Sequence, residues 1–268
     1  MPAPPVEELA IALETEEGLL DDLVASLDEP GWQQETPAPG WRVHDQIGHL
    51  AVSEEWATTA VVEPAAFTAM LDEAIEDLAA FAAASEARVR SRSHAEVLGW
   101  WRDQRRAMVA AVRGLPDGTR IPWFGPPMSA RAFVTARLME TWAHGQDVRD
   151  ALGAPPSTSD RLRDIAHLGV ITRAFTYANR GLEVPDAPVR VELRSSSGDT
   201  WTWGEPDAPN RVSGPALDFC LVVTQRRNVA DTDLRVDGAP AREWMSIAQA
   251  FAGPPTDPPA IASTRSLK

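Results

Sequence analysis

Met139-Glu140-Thr141-Trp142-Ala143-His144-Gly145-Gln146-Asp147 lies inside a segment, Ser129 to Leu152, that reads as one helix. Phe133, Val134, Leu138, Trp142 and Val148 make that segment apolar enough to be largely buried. Ser129 suits the N-cap, where its hydroxyl can accept from a free first-turn N–H, and Gly153-Ala-Pro-Pro ends the segment. Glu140 and His144 are four residues apart, so a helix stacks both side chains on one face. On an exposed helix such a pair is a solvated contact worth about 0.2–0.5 kcal/mol. In a buried segment it means more, because buried charged groups are rare unless paired or metal-bound. A carboxylate and an imidazole so placed can share one divalent metal. Two ligands do not close a site. The best third donor is His49, in Asp45-Gln46-Ile47-Gly48-His49-Leu50-Ala51 on an earlier helical segment. His49, Glu140 and His144 make a two-His, one-carboxylate set with open coordination positions. Zinc is the first expectation, and iron or nickel fit the same ligands.

Upstream of this segment the chain is helical throughout. Pro5 to Leu27 carries Leu9, Leu13, Leu19, Leu20, Leu23 and Leu27 at helical spacing, with acidic residues opposite, and Glu29-Pro30-Gly31 stops it. Val43 to Val62 is the helix of His49, with Ile47, Leu50 and Trp56. Pro64 opens a further helix running to Phe81, and Ser93 to Leu115 is the next. A loop carrying Trp123 and Phe124 leads into Ser129. Downstream, a helix is expected from about Asp160 to Arg180. After Gly181 the period changes to two: Val189–Arg194 and Thr200–Trp203 read as strands across the Ser197-Gly198 turn, with Asn210–Ser213 a short third. Pro215 opens a helix through Cys220, Asp233–Gly238 is a strand and turn, and Ala241–Phe251 is a last helix. The fold class is therefore α+β. The expected domains are a helical one at residues 1–155 and a smaller α+β one, with its connecting helix, at 156–252. The Pro-rich tail 253–268 is expected to be disordered.

Composition narrows the function. Lys and Arg number 25 against 39 Asp and Glu, a net charge of −14, which disfavours nucleic acid and anionic membrane surfaces as partners. Cys220 is the one cysteine, so the chain has no internal disulfide framework and no cysteine-based metal cluster. This suits a reducing compartment. With no basic n-region or apolar h-region at Met1–Glu8, and no apolar run of membrane-spanning length, a cytoplasmic protein is expected. Cys220 falls in Phe219-Cys-Leu-Val-Val and is expected to be an inert core thiol. His44 and His94 are expected at the surface, and His167 as a satisfied, partly buried histidine. Asp147 is a candidate to orient His144. Trp100, Trp101 and Trp142 read as core. Arg102, Arg105 and Arg106 read as a solvated face.

Two stretches carry a family resemblance: Trp41-Arg-Val-His-Asp-Gln-Ile-Gly-His49-Leu and Glu140-Thr-Trp-Ala-His144-Gly-Gln-Asp147-Val. They resemble the metal-binding four-helix domain of DinB-like proteins and, more closely, the mycothiol-dependent maleylpyruvate isomerase family. The resemblance implies a zinc held by His49, Glu140 and His144, mycothiol as thiol cofactor, a small-molecule substrate, and a second domain of sterol-carrier type. Ala216-Leu-Asp-Phe through Arg226-Arg227 to Gly238 looks like the family's segment in that domain, where a functional Arg ends a helix. Arg227 is the better match and Arg226 the alternative. The resemblance thus implies a metal- and thiol-dependent isomerase or S-transferase. The residues alone also admit a metal-dependent hydrolase or cyclase, or a non-catalytic metal- or ligand-binding protein.

Overall fold

The computed structural model describes residues 5–262. The chain divides into two compact units between Ser157 and Thr158.

The first unit is built on four long helices: α1 (Val6–Val24), α3 (Val43–Val62), α6 (His94–Val112) and α7 (Ala130–Leu152). Each packs against two of the others, α1 on α7 and α6, α3 on α6 and α7, which closes the ring of a four-helix bundle. Leu20, Val24, Ile47, Leu50, Val97, Trp101 and Val148 fill one part of its interior. The short α2 (Glu29–Trp32), with Asp28 capping Gly31 N–H, seats Trp32 in the core. The site helix α7 begins as its sequence dictates, with Ser129 Oγ accepting from Ala132 N–H, and ends at Gly153, whose φ of 64° puts it in the left-handed region that glycine tolerates.

Two sequence expectations fail here for local reasons. The helix expected from Pro64 to Phe81 breaks at Asp77 (φ −150°, ψ 84°) into α4 (Pro64–Glu76) and α5 (Leu78–Arg90), because the Asp77 carboxylate caps Ala80 N–H. The loop expected around Trp123 and Phe124 is a hairpin, β1 (Arg120–Trp123) against β2 (Gly125–Ser129). Trp56, Phe67, Phe81, Trp123, Phe124 and Phe133 form one aromatic cluster where this hairpin meets α3, α4, α5 and α7.

The second unit opens with α8 (Leu162–Ile171) and α9 (Arg173–Asn179), where one helix is expected; Thr172 (φ −85°, ψ 5°) separates them. Its sheet has the order β4-β3-β5-β6. The hairpin β3 (Val189–Arg194) and β4 (Thr200–Trp203) has the register Leu193 opposite Trp201, and β5 (Asn210–Pro215) runs parallel to β3 on its other edge. Then α10 (Ala216–Val223) packs back on α8, β6 (Arg235–Asp237) pairs antiparallel with β5, and α11 (Ala239–Ile247) ends the regular structure. That last helix is shorter than expected, since Ala248–Ala250 are buried without being helical. The Pro-rich segment is tied down over its described part. Arg180 meets Asp257, Asn228 donates to Pro259 O, and Ala262 N–H donates to Asp231. Residues 263–268 of the expected disordered tail lie outside the described residues.

Candidate metal centre

The side chains of His49, Glu140 and His144 meet inside the first unit. One ligand atom from each lies within 4.8 Å of the other two, the only such group of three His, Cys, Asp or Glu among the described residues. The helical spacing supplies one edge: His144 Nε2 is 3.2 Å from Glu140 Oε2. The α3–α7 packing supplies the other, with His49 Nε2 3.9 Å from the same oxygen and the two imidazole centroids 4.5 Å apart. Donor atoms around a tetrahedral zinc, at about 2.0–2.1 Å each, stand roughly 3.3 Å apart. The Glu140–His144 spacing already matches, and His49 Nε2, 3.9 Å from the same Glu140 oxygen, stands somewhat beyond it. The residues therefore fit a divalent metal in donor type, number and spacing.

Burial by itself would raise the Glu140 carboxyl. The facing His144 and His49 imidazoles, with Arg137 behind them, outweigh it and hold the group well below the usual carboxylate range, ready as an anionic ligand. His144 and Glu140 are 12 % and 17 % exposed at the side chain and His49 33 %, so the centre opens on the His49 side. Trp41 stacks on His144 (5.9 Å, 20°) and tilts against His49 (5.2 Å), forming a wall.

Other expected residues fall in different places. Asp147 is buried, and Gln46 Oε1, from a residue the sequence did not single out, lies 2.5 Å from His144 Nδ1. His44, expected at the surface, is 8 % exposed and its Nε2 meets Arg92 O. His94 is half-buried, stacked on Trp32 and paired with Glu29. His167 is more exposed than expected, and its Nδ1 accepts from Trp203 Nε1. Arg102 and Arg105 are not a solvated face: both pair with the buried Asp21 of α1, and only Arg106 remains outside. Trp101 and Trp142 are core, whereas Trp100 is half-buried between Arg88 and Arg92. Cys220 is fully buried and its thiol is pushed far up by burial, so it is no nucleophile. Arg226 and Arg227 follow α10 in the second unit, each half-buried, their N–H groups bonded to Leu221 O.

A second buried group was also missed. Glu17 and Glu54 are 1 % and 0 % exposed, and both Glu54 oxygens, with Arg137 Nε and Nη1, lack a hydrogen-bond partner among the described residues. Burial, with Glu140 adding to it and Arg137 opposing, pushes Glu54 up to about 7. Burial and the facing Glu54 also raise Glu17. The signal was available: Glu17 sits between Leu13 and Leu20, and Glu54 continues the Ile47–Leu50–Ala51 face. Separately, a cavity of about 650 Å³ is lined by Arg42, His44, Asp45, Arg90 and His94, and includes none of His49, Glu140 and His144.

The helical region, residues 13–149, matches the family model described as mycothiol maleylpyruvate isomerase N-terminal domain. The chain belongs to this family. A second model, described as wyosine base formation, matches residues 185–236, within the second unit. Two relatives from Mycobacterium tuberculosis, strains CDC 1551 / Oshkosh and ATCC 25618 / H37Rv, are each 48 % identical over 243 residues. They cover 91 % of this chain and 95 % of their own length, and both are named only as uncharacterized proteins. The fold is that of the solved mycothiol-dependent maleylpyruvate isomerase (TM-score 0.58, 14 % identity, 89 % of this chain and 96 % of that one). A histidine-to-alanine mutant of that enzyme matches at TM-score 0.56 (15 % identity, 83 % and 90 %). Among the described residues no helix is long and apolar enough to cross a membrane.

Proposed function

We propose that this protein is a metal-dependent enzyme that uses a low-molecular-weight thiol, mycothiol in the first instance, on a small electrophilic substrate. The observation that carries this is the His49–Glu140–His144 set on an open face of the bundle, in a chain of the mycothiol isomerase family. A divalent metal bound there, zinc first and iron or nickel with the same donors, lowers the pKa of a thiol that reaches it and favours the thiolate.

The chain's own residues do the rest. Glu140 supplies the negative charge at the centre, and His144 is held rigid between Glu140, Gln46 and the Trp41 ring. His49, the most exposed of the three, marks the side from which thiol and substrate enter. The buried Cys220 supplies no sulfur, so the nucleophile comes from outside the chain. The reaction class is addition of that sulfur to an electrophilic carbon. Its later release gives isomerisation of a double bond, and its retention gives S-transfer. We further propose Arg227, with Arg226 as the alternative, as the family's functional arginine, a planar fork suited to a carboxylate on substrate or cofactor.

The experiment is turnover of maleylpyruvate and other small electrophilic alkenes by the zinc-restored protein, with and without mycothiol. Turnover is expected only with both metal and thiol, and is expected to fall in Arg227→Ala or Arg226→Ala. Full turnover in thiol-free buffer would contradict the thiol and point to hydrolytic or cyclising chemistry on the same metal.

A further inference from the structure

Resting on the metal reading above, we propose that Gln46 is a positioning residue that fixes which nitrogen of His144 is free to bind the metal. Gln46 lies on α3, three residues before His49, and is fully buried. Its Oε1 is 2.5 Å from His144 Nδ1 and its Nε2 is 2.9 Å from Thr36 Oγ1. The two ends of an amide are alike in shape, so the hydrogen-bond network has to tell them apart.

Here the network ends on a group with one possible role. Thr36 Oγ1 is 2.8 Å from the Trp41 carbonyl oxygen, which can only accept. The Thr36 hydroxyl therefore donates its one proton to Trp41 O and accepts from Gln46. This turns the Gln46 NH₂ toward Thr36 and its carbonyl oxygen toward His144. A carbonyl oxygen also only accepts, so His144 Nδ1 carries a proton. In the neutral ring the lone pair is then on Nε2, the atom 3.2 Å from Glu140 Oε2. The polarity of the chain is thus set by one backbone carbonyl and transmitted through Thr36 and Gln46 to the ligand.

The same segment holds its own shape. Thr36 N–H also donates to Trp41 O, Val43 N–H donates to Gln34 O, and Glu35 bridges Arg42. Trp41, whose carbonyl anchors the chain, lays its ring on His144 and His49. One ten-residue stretch, 34–43, therefore sets both the tautomer and the tilt of the metal-binding rings.

The test is zinc affinity, measured by competition with a chromophoric chelator, on wild type, Gln46→Leu, Gln46→Glu and Thr36→Val. Partners of metal-bound histidines typically contribute about 10–100-fold in affinity. Gln46→Leu is expected to lose that much. Gln46→Glu, whose carboxylate accepts from the same Nδ1–H, is expected to restore it. Thr36→Val is expected to fall between them. Zinc-free melting temperatures of the four proteins separate loss of a ligand-orienting bond from loss of fold. Nitrogen NMR of the His144 ring in the zinc-loaded wild type is expected to show Nδ1 protonated and Nε2 on the metal. Coordination through Nδ1, or equal affinity in wild type and Gln46→Leu, would overturn the inference alone. A wild type that binds no zinc would overturn the metal reading and this inference with it.

Discussion

Glu54 and Glu140 are buried carboxylates in the same helical unit, and their surroundings push them in opposite directions. Glu140 faces two imidazoles and stays ionised; Glu54, with no hydrogen-bond partner, prefers its proton. Its folded value of about 7 lies above the ordinary 4.5. The stability it contributes is therefore fully present below about 4.5 and is lost as the pH rises through 7. Metal-free Glu54→Gln should accordingly lose less stability than wild type between pH 5 and pH 8. At pH 8 the difference should reach at most on the order of 3 kcal/mol in its favour. Urea unfolding at the two pH values measures it, and parallel profiles would contradict the burial argument. At the proposed metal centre, His49→Ala and His144→Ala should each lower the bound zinc by elemental analysis, since each removes one of the three proposed ligands; unchanged content in both would refute the assignment. The meeting of His49, Glu140 and His144 was legible because Glu140 and His144 obey helical spacing. Gln46 was not, because a neutral polar side chain reveals its partner only once two helices 98 positions apart are packed together.

Among the elements, α3 is the most constrained, since it carries His49 and Gln46 and packs on α4, α5, α6 and α7. Gly48 lets α5 approach it. A Cβ at that position would sit 2.1 Å from Val89 Cγ1 and 3.0 Å from its Cβ, too close for a stiff β-branched side chain to evade. Gly48→Ala should destabilise the protein by about 1–3 kcal/mol. Gly99, in the middle of α6, has nothing within 4 Å of the added methyl, so Gly99→Ala should stabilise by up to about 1 kcal/mol. Opposite signs in thermal unfolding support this packing, and equal effects would not. The long helices were readable from their apolar period and caps. Their interruptions were not, because Asp77 and Thr172 end helices through local dihedrals inside otherwise periodic runs. The β1–β2 hairpin was missed for another reason: its strands are only four and five residues long and carry Pro122, Pro126 and Pro127, which argue against a strand.

At the scale of the whole molecule, the α+β order of a helical bundle followed by a small mixed sheet was visible where the hydrophobic period changes after Gly181. The parallel pairing of β3 with β5 was not, since nothing in either strand names its neighbour. A ligand that binds only the native state stabilises it by mass action. Chelation should therefore lower the melting temperature by several degrees, and restored zinc should recover it. Cys220→Ala should leave both the metal content and the thiol requirement unchanged, because that thiol is sealed in the core of the second unit. The central claim, a metal held by His49, Glu140 and His144 with a position open to an external thiol, is tested most directly by absorption spectroscopy of the cobalt-substituted protein during a mycothiol titration. A saturable sulfur-to-cobalt charge-transfer band in the near ultraviolet, absent in His144→Ala, is the result expected. A cobalt spectrum that does not respond to the thiol would contradict it.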